Sequence, residues 1–226
     1  MKITYFGHSC FLVEMGENRL LFDPFIKPNP LASTVNFSAI EADYIILSHG
    51  HVDHVADVEE IAKRTEATII ANWEIANWFG NKGIVKAHAM NTGGKCGFEF
   101  GTLKMVTAIH SSSMPDGTYG GNPNGYVIES AEKTFYYSGD TALTFDMKLI
   151  ADEFKIDFAF FPIGDNFTMG IEDACAAATF VKTDTIIGMH YNTFPPIEIS
   201  EIEVMETARI NNKKLILMNV GETIEL

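Results

Sequence analysis

The chain has 226 residues, 46% of them hydrophobic, which is long for one average domain and enough for a single α/β unit spanning 1–226 with a sizeable core. A formal net charge of −14 and a pI near 4.8 repel phosphate backbones at long range, so no nucleic-acid partner is expected and a small-molecule substrate is. Cys10, Cys96 and Cys175 form no C-x-x-C pair, no apolar run approaches the roughly 20 residues of a membrane span, and Met1-Lys2-Ile3-Thr4 shows no signal-peptide layout; a cytoplasmic protein without a membrane partner is predicted.

Lys2 to Phe6 alternates, Gly7-His8-Ser9 follows as a turn, and Cys10 to Met15 and Arg19 to Phe22 continue as antiparallel strands closed by Asp23-Pro24. His8 is either a hydrogen-bonded turn residue or a functional group in a strand-end loop. Residues 26–37, with Pro28, Pro30, Asn29 and Asn36, read as a loop that is either a flap or a connector. Tyr44-Ile45-Ile46-Leu47 is a short apolar run predicted to be a buried strand, and directly behind it stands Ser48-His49-Gly50-His51-Val52-Asp53-His54. Three imidazoles and a carboxylate on a loop past a strand's carboxyl end offer the nitrogen and oxygen donors that a borderline-soft cation such as Zn²⁺ prefers. A helix is predicted over Val55 to Ala62.

Thr68 to Ala71 and Val85 to His88 are strand candidates on either side of the helix Trp73 to Phe79, the alternation of a parallel crossover unit. Asn91 to Lys95 is a turn. Phe98 to Phe100, Leu103 to Ile109, Tyr126 to Glu129 and Thr134 to Tyr137 form a second strand-rich block. Helices over 145–154, 172–181 and 201–211 then alternate with strands over 158–161, 185–188, 215–217 and 223–225. Three ligand-type side chains stand immediately behind apolar strands, where a scaffold holds them firmly: His110, Asp140 and His190. His88, inside a strand with no partner motif, reads as structural.

Residues 49–54 resemble the H-x-H-x-D-H signature of the metallo-β-lactamase superfamily. The likeness runs from Thr4-Tyr5-Phe6-Gly7-His8-Ser9 almost to the C-terminus and is to the small metal-dependent hydrolase branch related to L-ascorbate-6-phosphate lactonase. The resemblance implies a four-layer αββα sandwich, two mixed sheets packed face to face with helices outside. It implies two divalent ions, Zn first and Mn, Fe or Ni as alternatives: His49, His51 and His110 on one, Asp53, His54 and His190 on the other, and Asp140 bridging. It also places a G-H-S turn near the active centre, which makes His8 a catalytic candidate beside Asp53. Related lactonases form oligomers, so a homo-oligomer is admitted.

Two cations about 3.5–4 Å apart can bridge a hydroxide and polarise a substrate oxygen, so the expected activity is hydrolysis of a small ester, lactone or phosphoester. Asp53 would orient the hydroxide. Asn166 and Thr168 would contact substrate or cap the helix near Ile171, and Tyr191 and Asn192 would donate to a developing oxyanion. Three other readings remain: a diiron redox protein, which usually has Glu at the position of His51; an RNA phosphodiesterase, for which the charge is wrong; and a catalytically silent metal binder, against which the intact ligand set speaks.

Overall fold

The computed structural model describes Met1–Leu226. In chain order the elements are β1 Lys2–Gly7, β2 Cys10–Met15, β3 Asn18–Phe22, β4 Tyr44–Ile46, α1 Val52–Val55, α2 Val58–Thr65, β5 Thr68–Asn72, α3 Trp73–Gly80 and β6 Ala87–Met90. The second half follows with β7 Lys95–Phe98, β8 Gly101–Thr107, β9 Asn124–Glu129, β10 Thr134–Tyr137, α4 Met147–Glu153, β11 Phe158–Pro162, α5 Ile171–Phe180, β12 Thr185–Met189, α6 Glu201–Ile210, β13 Lys214–Ile216 and β14 Thr223–Glu225.

These strands make two seven-stranded mixed sheets, ordered β14-β1-β2-β3-β4-β5-β6 and β13-β12-β11-β10-β9-β8-β7. Each sheet opens with antiparallel strands and continues in parallel, from β3 in the first and from β10 in the second. Short apolar runs become parallel strands here because both their faces are buried. In β4, Ile45 faces a helix layer while Ile46 faces the space between the sheets, and Ile186 and Ile187 divide in the same way in β12. Between the sheets Phe11 meets Phe160 with ring centroids 4.7 Å apart, and Phe22 meets Tyr137 at 4.6 Å. Such fully buried side chains contribute about 1.5–3 kcal/mol each. Ile61, Ile75 and Phe79 bring α2 and α3 onto the first sheet, and Ala174, Ala178 and Val204 bring α5 and α6 onto the second. The result is the αββα sandwich. No helix is long and apolar enough to cross a membrane.

Two expected elements are corrected. The helix predicted over Val55 to Ala62 is broken into α1 and α2, because the Asp57 amide donates to Pro24 O at 3.1 Å and its carboxylate accepts from the Lys27 amide at 3.0 Å, tying the break to the loop behind β3. The strand expected over Phe98 to Phe100 is instead β7, and Glu99 and Phe100 form the turn into β8. Phe100 is apolar because it closes the core, not because it pairs in the sheet.

Candidate metal centre

Parallel strands align their carboxyl ends, so the segments behind β4, β8, β10 and β12 converge on one edge of the sandwich together with the β1–β2 turn. His49 and His51 lie on the loop behind β4, Asp53 and His54 on α1, His110 behind β8, Asp140 behind β10 and His190 behind β12. The carboxylate of Asp140 is central. Its Oδ2 lies 3.0 Å from His190 Nε2, 3.3 Å from His54 Nε2, 3.6 Å from His110 Nε2 and 3.9 Å from His49 Nε2. Around it the donor atoms of His49, His51 and His110 form one group, and those of His8, Asp53, His54 and His190 another, the atoms of each group within 4.8 Å of one another.

The residues fit divalent cations. His54 Nε2 and Asp140 Oδ1 are buried without a hydrogen-bond partner, and leaving such groups orphaned is costly unless a ligand engages them. Burial holds the pKa of His49, His51 and His110 below the ordinary histidine value, so these rings are neutral donors. Burial also works against charge on Asp140, but His190 and His54 outweigh it and hold its carboxyl well below the usual range. His54 goes the other way: burial lowers it, and the carboxylates of Asp140 and Asp23 on its two sides raise it above the usual value.

The supporting hydrogen bonds fix which nitrogen of each ring faces inward. Asp23 Oδ2 accepts from His54 Nδ1 at 2.8 Å, from the Tyr137 hydroxyl at 2.8 Å and from Ser48 Oγ. Ser48 has its proton on Asp23, so it accepts from His49 Nδ1 at 2.9 Å. Both rings are thereby left with Nε2 turned to the cluster. Sequence reasoning missed Asp23, which it took only as the end of a strand. The available signal was the one that singled out Asp140, a carboxylate immediately behind a buried strand.

His8 is fully buried, adopts a φ of 57° in the β1–β2 turn and belongs to the cluster. Its Nε2 lies 3.1 Å from Asp53 Oδ2, and its Nδ1 lies 2.9 Å from Thr193 Oγ1. A carboxylate only accepts, so Nε2 carries the hydrogen and Nδ1 accepts from the threonine. Burial pushes the His8 pKa down to about 4, against the raising effect of the Asp53 bond. Burial would raise Asp53, but the His8 hydrogen bond and the charges of His54 and His8 hold it low.

The expected substrate contacts fare differently. Tyr191 is corrected: its ring is in the core and its hydroxyl is committed to Met218 O at 3.4 Å. Asn192 accepts from the Ile199 amide at 2.9 Å and its own amide donates to Ile197 O at 2.8 Å, so it ties its loop together. Asn166 and Thr168 do not cap α5, whose N-cap is Gly170; Asn166 is exposed and Thr168 half-buried on the loop behind β11. His88 stands in β6 with its ring 5.0 Å from that of Phe98.

A family model described as "Beta-lactamase superfamily domain" matches residues 2–190. The chain belongs to that superfamily. Within it, a UPF0173 metal-dependent hydrolase of Flavobacterium johnsoniae is 50% identical over 226 residues, all of both chains. Another, YtkL of Bacillus subtilis, is 44% identical over 231 residues, again covering all of both. Among solved structures, Igni18, a metallo hydrolase from the archaeon Ignicoccus hospitalis, matches with 33% identity and a TM-score of 0.89, covering 100% of this chain and 98% of that one.

Proposed function

We propose that this chain is a metal-dependent hydrolase that holds two divalent cations, zinc first among the candidates, and cleaves a small ester, lactone or phosphoester. The observation that carries the reading is Asp140, whose Oδ2 lies within 4.0 Å of four imidazole nitrogens drawn from both donor groups. A carboxylate so placed neutralises two neighbouring positive charges at once. His49, His51 and His110 would hold one cation and Asp53, His54 and His190 the other. Bound cations of this kind supply a lowered water pKa and a polarised substrate oxygen.

The chain's own part is positioning and proton control. Asp23 locks His54 and, through Ser48, His49. His8 holds Asp53 Oδ2 with its Nε2 hydrogen and so fixes the carboxylate that would hold a cation and orient water. A protein reconstituted with zinc or manganese should bind two ions per chain and hydrolyse chromogenic esters or phosphodiesters, and chelation should abolish turnover. Saturation at one ion would remove the paired site, and turnover that survives chelation would remove the metal dependence.

A further inference from the structure

The edge of the sandwich that carries the cluster is stripped of cations. Five connections leave strands there, covering residues 47–57, 108–123, 138–146, 163–170 and 190–200, and none contains a lysine or an arginine. Lys86, Lys155, Lys182 and Lys213 stand at the other end of the strands, preceding β6, β11, β12 and β13, while Lys148 lies on α4 over the Phe145 ring and Lys82, paired with Glu59, lies over the ring of Trp78. Lys27, on the loop behind β3, is held by the Glu60 carboxylate at 2.7 Å. The three arginines are committed to carboxylates as well, Arg19 to Asp43, Arg64 to Glu41 and Arg209 to Glu206.

In place of cations the same edge exposes large apolar side chains. Val52, Trp73, Ile109, Tyr119, Phe145 and Phe167, each more than half exposed, all follow strand ends on this side. A cleft of about 370 Å³ opens directly beside His51 and Asp53, walled by Val52, Ser113, Met114 and Pro115, a volume within the range of small-ligand pockets. Its far wall is a hairpin closed by the Ser113–Tyr119 bridge. That hairpin is fixed before any ligand arrives: Asn72 Nδ2 donates to Gly120 O at 2.7 Å, the Gly50 amide to Ser112 Oγ at 3.1 Å, and Trp78 Nε1 to Asp116 Oδ2 at 2.9 Å. The only charge the hairpin carries is the negative one of Asp116.

We infer that the substrate of this centre is an uncharged carboxylic ester or lactone whose alkyl or aryl body lies in the cleft between Val52 and the 113–119 hairpin, and that phosphorylated or carboxylated substrates are disfavoured. The inference rests on the hydrolase reading above and narrows it. An anionic substituent away from the reacting bond would meet Asp116 and no lysine or arginine, so it would lose its hydration without gaining a partner. An apolar substituent would cover Val52 and Pro115, side chains that water now wets.

The test uses the zinc-loaded full chain and two aryl butyrates that differ by one charge, 4-(methoxycarbonyl)phenyl butyrate and 4-carboxyphenyl butyrate, with bis(4-nitrophenyl) phosphate as a third probe. The neutral ester should have the higher kcat/KM by about tenfold or more, most of it in KM. Val52→Lys, and Pro115→Lys as a second exposed position in the same cleft, should each narrow that gap about fivefold. Leu149→Lys on α4, away from the cleft, should leave it unchanged. Equal or reversed preference, or a gap that neither cleft variant moves, overturns the inference and leaves the hydrolase reading standing, as does turnover of the phosphodiester alone. No turnover of any probe by protein with its metals bound overturns the reading beneath it.

Discussion

The two halves of the proposed centre are built to different standards. The group of Asp53, His54 and His190 is embedded in outer hydrogen bonds: His54 is fully buried and locked by Asp23, and Asp53, although its side chain is 22% exposed, is gripped by His8, which Thr193 holds in turn. In the group of His49, His51 and His110, only His49 has a comparable brace, through Ser48. His51 is half-buried with Ser111 Oγ at 3.3 Å from its Nε2, and the His110 side chain is 14% exposed. Outer hydrogen bonds orient ligands and raise their basicity. The embedded group should therefore take its cation first and more tightly, and the open group, with fewer outer hydrogen bonds, should exchange more readily.

The largest expected effect breaks both halves together. Asp140→Ala removes the carboxylate shared by the two groups, so metal content should fall toward zero and turnover should vanish, whereas His51→Ala should keep one ion. Loss of a buried charged partner also carries a stability cost of about 3–5 kcal/mol. Elemental analysis of the two variants decides it, and two ions retained by the Asp140 variant would put the bridge elsewhere.

Asp23→Asn should act next, on the embedded half through His54 and on the open half through Ser48. Weakened support of that kind typically costs 10- to 100-fold in metal affinity, about tenfold at least being expected here. His8→Ala should lower turnover roughly 10- to 100-fold with both metals retained, because it frees Asp53 without removing a proposed ligand. A fully metallated and fully active variant would return His8 to a merely structural role.

A smaller effect belongs to pH. The His8 pKa is pushed down to about 4, first by burial, from the ordinary 6.5. The unfolded chain takes up this proton near 6.5 and the folded chain only near 4, so the contribution is present above 6.5 and lost as pH falls between the two, by at most about 3 kcal/mol. Chelated wild type should therefore lose more urea stability between pH 6.5 and pH 4 than His8→Gln does, and equal losses would contradict the burial account. The smallest effect is expected from Ser111→Ala, about threefold or less in metal affinity, since its contact to His51 is long.

Much of this was legible in the sequence, and the misses share one cause. Ile45-Ile46 and Ile186-Ile187 announce strands buried on both faces, and local chain direction then puts His49 to His54 and His190 where a ligand would be sought. Asp23 offered the same local signal as Asp140, but what it holds, His54 and Ser48, is set by β3 pairing in parallel with β4. Tyr191 was over-read for the complementary reason. The chain leaves β12 at Met189 through His190 in a left-handed conformation, and with His190 turned to the cluster Tyr191 turns to Met218 and the core. The break at Asp57 likewise answers to Pro24, thirty-odd positions upstream, and not to its own helical pattern.

The most direct test of the central claim is a zinc titration of the chelated protein by calorimetry, with bound metal counted at the endpoint. Two ions per chain should bind in two resolved steps. Asp23→Asn should weaken the first, tighter step, and His110→Ala should abolish only the second. A single step that saturates at one ion, or loss of the tighter step in His110→Ala, would contradict the account of an embedded and an open half joined by Asp140.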